Sequence, residues 1–375
     1  MMRKAVLFLL TVCLVLCFID ALALDYSQYE IRNRFTMDVN LLKEGEFVAE
    51  TWEDRYGDVS NNWHVTWWKD DKILREVDYD PLGTIRYWAA PHMNGTCGIL
   101  ETSAQKLSDG SSAGAAVTLY DWTDEGLTNP RPIAEGVTEV RAVFGGFSVW
   151  KKEAREIGIY DDSGKLLFEM TDAENMPIRL AFDHLGNLWF ATTIYGKTYE
   201  ENTYILRQIR EGKIVWEKKL PFAPAVFPDE KGGIYTAEHV GTGSYKSIEI
   251  THFDAAGNKV MTKLMKADKV VLGCCILVKP ETDELILAGT AVANSRKVYK
   301  VYRIVVDAND WTIKKSDIRT MNYYNDYTLY VARDLDGNCY TFASGIDELD
   351  AGNINPVLVP FDVLDKTDNP GIRLQ

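Results

Sequence analysis

Short runs of apolar residues, each bounded by glycine, aspartate, asparagine or proline, follow one another along most of the chain. Runs such as residues 204–209, 213–220 and 298–306 are rich in β-branched and aromatic side chains, which is typical of β-strands. Outside residues 1–23, no long segment repeats its apolar positions with the 3.6-residue period of an amphipathic helix. The pattern therefore predicts an all-β protein.

One phrase recurs along the chain: an acidic or polar turn, a glycine, and a strand that opens on an aromatic or aliphatic residue. It is clearest at residues 183–192, returns at 229–237 and 334–343, and has a degenerate copy at 281–289. Self-similarity with a period of about 40–55 residues is typical of repeat architectures. Residues 176–231 contain one whole unit, with four strand-like runs joined by tight turns.

Four antiparallel strands followed by a link to the next innermost strand describe one blade of a β-propeller. We expect a single propeller domain over residues 24–375 with seven blades, and six or eight blades are the alternatives. Residues 30–39 are expected to supply the outer strand of the last blade, because such closure removes open sheet edges. The seven second strands are predicted to begin near Glu46, Thr96, Phe147, Leu188, Ile234, Leu285 and Cys339.

Parts of these units resemble known propeller families. Residues 183–190 resemble the blade motif of streptogramin-lyase-like, NHL-type and two-component-regulator propellers. Residues 212–217 are similar to the outer-strand phrase of quinoprotein repeats, and residues 162–165 to its turn. The resemblance implies the propeller shape but not the chemistry of one family, because propellers carry many unrelated functions.

Residues 1–23 have the features of a secretory signal peptide. Arg3 and Lys4 precede an uncharged apolar run at residues 5–19, and small residues follow at Ala21 and Ala23. The alternative is a membrane anchor, although the run is shorter than the roughly 20 residues that a spanning helix needs. The segment predicts a secreted or periplasmic protein.

The charge balance bears on the kind of partner. The net charge is −14, and it becomes about −15 without residues 1–23, which carry two basic residues and one acidic residue. Nucleic acids and anionic membranes attract basic surfaces, so we expect neither as a partner. We expect a monomer that binds a carbohydrate, a peptide or another protein.

No metal or cofactor site is predicted. Aspartates that precede glycine in the turns could be calcium ligands, but hairpin turns need the same residues and no loop has a full ligand series. The cysteines show no CxxC spacing, and we expect buried apolar thiols or a single disulfide. These residues are Asp161, Asp162, Asp183, Asp254, Asp334 and Asp336, and Cys97, Cys274, Cys275 and Cys339.

Three arginines are the first candidate binding residues. Arg86, Arg141 and Arg179 each lie near the start of a predicted innermost strand. Innermost strands line the central channel, so these guanidinium groups could form an anion-binding ring for carboxylate or phosphate groups. The alternative is that they form ion pairs between blades.

Tryptophans are the second candidate, because five of them lie within residues 52–88. Trp63 and Trp67 share one face of a predicted strand and could form a stacking platform for a sugar or peptide. The alternative is that most of these rings belong to the core between blades.

A third set of residues could be catalytic. Glu238, His239 and His252 have the residue types that a propeller lyase or hydrolase needs for general acid–base chemistry, but the sequence does not pair them. The alternative is that the histidines lie in ordinary loops.

We therefore predict a binding or scaffold protein, whose ligand lies on one loop face or at the mouth of the channel. Residues 54–62, 195–202 and 240–245 are expected to gather on that face. A propeller enzyme with its site at the channel mouth is the alternative.

Overall fold

The computed structural model describes residues 35–43, 45–53, 62–69, 72–78, 84–106, 112–171, 173–198, 201–240, 247–266, 274–279, 281–295, 298–322, 328–344, 357–367 and 372–375. The described residues contain no α-helix and fold into seven antiparallel sheets. The predicted all-β class is confirmed, whereas the signal segment at residues 1–23 lies outside the described residues.

Within each sheet the principal strands are ordered as they follow along the chain. The first four sheets contain β1 (Phe35–Leu41), β2 (Glu46–Glu53), β3 (Asn62–Lys69) and β4 (Lys72–Asp78); β5 (Ile85–Pro91), β6 (Cys97–Lys106), β7 (Ser112–Thr123) and β8 (Gly126–Val137); β9 (Glu139–Val143), β10 (Gly146–Lys151), β11 (Glu156–Asp161) and β12 (Leu166–Met170); and β13 (Pro177–Phe182), β14 (Leu188–Ile194), β15 (Thr203–Arg210) and β16 (Lys213–Leu220).

The remaining three sheets repeat this arrangement. They contain β17 (Ala225–Pro228), β18 (Ile234–Val240), β19 (Ser247–Phe253) and β20 (Lys259–Lys266); β21 (Cys275–Lys279), β22 (Glu284–Ser295), β23 (Val298–Asp307) and β24 (Ile313–Asn322); and β25 (Thr328–Arg333), β26 (Cys339–Ser344) and β27 (Val357–Pro360). Two short strands, β28 (Asp365–Lys366) and β29 (Arg373–Leu374), follow after a 3-10 turn at Phe361–Val363.

The seven sheets are the blades of a propeller, numbered here in chain order. The first strands of successive blades lie beside one another, so that β5 adjoins β9, β9 adjoins β13, and β13 adjoins β17. The predicted number of blades is confirmed. The second strands, β2, β6, β10, β14, β18, β22 and β26, each begin at or within one residue of the predicted position.

The blades are joined by seven apolar clusters, one for each neighbouring pair. Strand β14 shows how the sequence produces this arrangement. Leu188 and Phe190 face the third blade, whereas Trp189 and Ala191 face the fifth. All four are at most 1% exposed, because successive residues on a strand point to opposite faces and both faces are covered.

The ring closes by side-chain packing between the last blade and the first. Phe342 and Leu358 of the last blade pack in one cluster with Val39 and Phe47 of the first. The prediction that residues 30–39 provide the outer strand of the last blade is wrong for the described part, because β1 pairs with β2 as the innermost strand of the first blade. Val39 and Leu41 of β1 pack against the last blade, and Leu42, which follows β1, packs between the first two blades.

The C-terminal segment runs back along the outer edges of the preceding blades. Strand β28 pairs with β24 of the sixth blade, and β29 pairs with β20 of the fifth. Ile372 is 5% exposed and packs in the cluster between these two blades. The segment therefore covers two edges that would otherwise offer unpaired backbone groups for aggregation.

The repeated acidic turn is held by its own aspartate. The Asp183 carboxylate accepts hydrogen bonds from the backbone N–H groups of Leu185 and Asn187, at 3.0 and 2.8 Å, and from the Asn187 side chain at 2.7 Å. Gly186 has a φ of 80°, which favours glycine. Asp254 and Asp334 bind their own turns in the same way, so the turn-forming interpretation of these acids is confirmed.

The turns after the first strands also connect neighbouring blades. Because each such turn lies close to the channel, one blade's turn reaches that of the next. The connections are Gly145 N–H to Pro91 O at 3.1 Å, His184 N–H to Glu230 Oε2 at 3.2 Å, Lys231 Nζ to Asp283 Oδ1 at 2.8 Å, and Leu335 N–H to Leu42 O at 3.1 Å.

The buried aspartate of this turn is expected to contribute strongly to stability. Asp183→Ala removes the acceptor of three hydrogen bonds at a residue that is 4% exposed, so we expect a loss of about 2–4 kcal/mol in the free energy of unfolding. Urea unfolding measures this change. The matched control is Asp336→Ala, because Asp336 is exposed in the corresponding turn of the last blade; an equal loss in both variants would contradict the turn interpretation.

Candidate functional site

The three predicted arginines all lie on innermost strands of consecutive blades. Arg86 is on β5, Arg141 on β9 and Arg179 on β13. Arg86 and Arg179 are exposed, and Arg141 is half-buried. The structure therefore places the three residues on neighbouring innermost strands, and their contact with an anionic ligand remains a prediction.

Arg141 and Arg179 lie close enough for their charges to interact. The guanidinium of Arg179 donates hydrogen bonds to the carbonyl oxygens of Pro224 and Ile178, at 3.1 and 2.9 Å. Burial, and the nearby charge of Arg141, lower the pKa of Arg179. The Nε atom of Arg141 is buried and has no hydrogen-bond partner among the described residues. Arg141 and Arg179 therefore form a positively charged site that an anionic ligand would neutralise.

Arg86 belongs to a cleft between the second and third blades. The cleft has a volume of about 990 Å³ and is bounded by the inner strand β5, the end of β8 and the turn after β10. Trp88 lies on the same face of β5 as Arg86, and Lys151 and Lys152 approach from the third blade. Glu135 and Glu139 also line the cleft, so it presents charges of both signs.

Several polar groups of this cleft lack partners within the described part of the chain. No hydrogen bond or ion pair joins the side chains of Arg86 or Lys152 to another described residue, and the buried indole N–H of Trp88 has no acceptor. By contrast, Lys151 is paired with Glu156 at 3.3 Å. The indole N–H groups of Trp150, Trp189, Trp216 and Trp311 are buried without a partner in the same way, so the Trp88 N–H does not by itself indicate a ligand. The unpaired cations Arg86 and Lys152 are what distinguish this cleft.

The tryptophan platform does not lie where the sequence suggested. Trp67 is 5% exposed, its ring packs against Trp122 at 5.8 Å between centroids, and Arg75 lies over its face at 4.5 Å. Its indole N–H donates to Glu46 at 3.3 Å. Trp67 is therefore a core residue between the first two blades, which was the alternative interpretation. The side chain of Trp63 lies outside the described residues.

The three candidate catalytic residues do not converge. Glu238 and His239 are successive residues of β18 and point to opposite faces of the sheet. His252 lies opposite Tyr235 on the neighbouring strand. Tyr235 is three residues before Glu238, so His252 and Glu238 are separated by roughly 10 Å along the strand direction. The Nε2 atom of His252 instead lies 2.8 Å from Asp229, in the turn at the other end of the blade. This arrangement offers no acid–base pair built from these three residues.

Glu238 nevertheless has an unusual environment. It lies directly opposite Glu249 on the neighbouring strand. Burial and the nearby charge of Glu249 raise the pKa of Glu238 to about 7. Two acids opposite one another on a sheet repel when both are ionised, so Glu238 holds a proton at pH values where an ordinary glutamate has lost it.

Reasoning from the sequence missed a second group of charges at the channel. Arg333 is the last residue of β25, and burial lowers the pKa of its guanidinium. Burial raises the pKa of Glu230, whose carboxylate accepts the His184 N–H and interacts with the charge of Arg333. The sequence did contain a sign of this group. Arg333 directly precedes a copy of the repeated turn, and an innermost strand ends at that position.

All four described cysteines are free thiols. Burial raises the pKa of Cys97, Cys274, Cys275 and Cys339 to about 12 in each case. They are therefore poor nucleophiles and poor metal ligands in this fold, because the thiolate is the reactive form. Cys97 and Cys339 match the expectation of buried thiols, whereas Cys274 and Cys275 are half-buried.

The predicted gathering of long loops is only partly within the described residues. Residues 54–61, 199–200 and 241–246 lie outside them. No helix in the described part of the chain is long and apolar enough to cross a bilayer.

Comparison with known protein families and with curated proteins finds no match to the sequence. Three solved structures illustrate the likeness in fold. The acylaminoacyl peptidase of Pyrococcus horikoshii has a TM-score of 0.51 at 8% identity, over 90% of this chain and 52% of that one. The β-propeller domain of the Trilobed protease from Pyrococcus furiosus has a TM-score of 0.46 at 11% identity, over 82% of this chain and 92% of that one. The NanB sialidase of Streptococcus pneumoniae has a TM-score of 0.44 at 11% identity, over 91% of this chain and 70% of that one. At these identities the likeness concerns the fold alone.

The raised pKa of Glu238 predicts a pH-dependent contribution to stability. The folded protein keeps this proton up to a pH of about 7, whereas the unfolded chain releases it near the ordinary value of 4.5. The folded state therefore loses stability as pH rises through this window. We expect Glu238→Gln to raise the free energy of unfolding at pH 8 and to change it little at pH 4.

Urea unfolding at the two pH values measures this difference. Glu153→Gln is the matched control, since Glu153 is an exposed turn residue, and we expect it to behave like the wild type at both. A Glu238→Gln effect of the same size at pH 4 and pH 8 would show that ionisation of Glu238 is not its cause.

Proposed function

We propose that this propeller is an exported binding protein and that a charged peptide segment lies in the cleft between its second and third blades. The observation that carries the proposal is the pair of cations without described partners in that cleft, the Arg86 guanidinium and the Lys152 ammonium. Carboxylates and backbone carbonyls of a peptide would satisfy these two donors.

The chemistry of the cleft favours a peptide over a neutral sugar. Glu135 and Glu139 line the same cleft as the two cations, so a ligand with charges of both signs matches it better than an uncharged one. A volume of about 990 Å³ is at the upper end of the range of small-molecule sites, and it would accommodate several residues of an extended chain. The pair Arg141 and Arg179 would extend the same positive charge along the channel.

An enzyme remains the alternative function for a propeller with a cleft beside its channel. It needs an acid–base pair or a nucleophile within hydrogen-bond reach of a bound substrate. The described positions of Glu238, His239 and His252 do not supply that pair, so no arrangement among them favours catalysis over binding. Export rests on the signal-like character of residues 1–23.

Array screening followed by affinity measurement tests the proposed site. The purified chain is screened against peptide and glycan arrays, and the best ligand is then titrated against variants. We expect Arg86→Ala and Lys152→Ala each to weaken binding roughly 10-fold or more, the loss typical of a charge-assisted hydrogen bond. Lys219→Ala is the control and is expected to bind like the wild type, because Lys219 is exposed on the outer strand of the fourth blade.

The outcomes separate the hypotheses. Retained affinity in both cleft variants would place the site elsewhere, and glycan hits that depend on Arg86 would overturn the peptide assignment while keeping the cleft. A complete lack of binding on both arrays would favour a scaffold role without a small ligand.

A further inference from the structure

Three side chains with metal-binding groups meet on the outer half of the first blade, away from the proposed peptide cleft. His64 lies on β3, and Glu76 and Asp78 lie on β4. His64 and Asp78 are direct register partners, and Glu76 is two residues from Asp78 on the same face of its strand. One ligand atom from each residue lies within 4.8 Å of the other two.

The ligand atoms of this group lie close enough together to surround a single metal ion. The Nδ1 atom of His64 is 2.7 Å from Oδ1 of Asp78 and 3.1 Å from Oε1 of Glu76. Two ligand atoms that each lie about 2.1 Å from one ion are roughly 3.0–3.4 Å apart in octahedral or tetrahedral geometry. The Nδ1–Oε1 distance lies in this range, whereas the Nδ1–Oδ1 distance is shorter and is that of a hydrogen bond. An ion between the three atoms therefore requires only small rotations of the exposed carboxylates, and the backbone keeps its place.

Burial distinguishes the roles of the three residues. The His64 side chain is 8% exposed, which fixes the position of the ring, whereas Asp78 is 70% exposed. Solvent can therefore reach the carboxylate side of the group and supply the remaining ligands of an ion. One imidazole nitrogen with two carboxylate oxygens suits borderline divalent ions of the first transition row.

Hydrogen bonds could hold the group together instead, since the Nδ1 atom of His64 lies within hydrogen-bond distance of both acids. A single N–H at Nδ1, however, is shared between two acceptors, whereas a divalent ion binds all three atoms at once. We propose that His64, Glu76 and Asp78 bind a divalent transition-metal ion such as Zn²⁺ or Mn²⁺, which joins the edge strand β4 to β3.

Calorimetric titration of the purified chain with ZnCl₂, and separately with MnCl₂, tests the site. We expect one ion per chain for at least one of the two metals. We expect three variants to weaken metal binding: the near-isosteric Glu76→Gln and Asp78→Asn, and His64→Gln. Loss of a group that only supports a ligand typically weakens metal binding roughly 10–100-fold, and loss of a ligand itself should weaken it by more. His184→Gln is the matched control, because His184 is an exposed turn histidine outside the group.

Thermal unfolding gives a second readout that also reports whether the variants fold. The metal should raise the unfolding midpoint of the wild type and of His184→Gln, because an ion that binds only the folded state stabilises it. It should leave the midpoints of the three ligand variants unchanged. Absence of binding by the wild type, or equal binding in Glu76→Gln and Asp78→Asn, would overturn the proposal and leave the group as a set of hydrogen-bonded side chains.

Discussion

The structure depends on the need of each sheet to bury two apolar faces. A single four-stranded blade has Leu188 and Phe190 on one face and Trp189 and Ala191 on the other, so it cannot form a stable core alone. Each blade obtains a neighbour on both sides only if the ring closes. Packing of Phe342 and Leu358 against Val39 and Phe47 provides that closure, and no strand exchange between the described ends of the chain is involved.

The repeated turn serves the same ring. Its aspartates satisfy backbone N–H groups that would otherwise be buried without partners, as Asp183 does for Leu185 and Asn187. Contacts such as that of the His184 N–H with Glu230 then join one blade to the next beside the channel. The acidic composition of these turns thus follows from backbone hydrogen bonding, and metal-binding chemistry is proposed for a different place, the outer strands of the first blade.

The candidate functional groups lie where the copies of the repeat differ. Arg86 and Trp88 on β5 share one face of an innermost strand, and Lys152 of the following blade lines the same cleft. The next two innermost strands also carry arginines, Arg141 and Arg179, but neither carries a tryptophan. One scaffold therefore presents a polar cleft at one interface between blades, while the corresponding interface between the first two blades is filled by Trp67 and Trp122.

The sequence by itself determined the all-β class, the seven blades and the start of each second strand, because the two-residue period and the turn chemistry are local properties of the chain. It also placed Arg86, Arg141 and Arg179 on innermost strands. Only the tertiary structure decided that Trp67 is buried, that Glu238 and His252 lie apart, and that His64 meets two acids. Those outcomes depend on which blade covers each face and on the register between strands, and a short stretch of sequence contains neither.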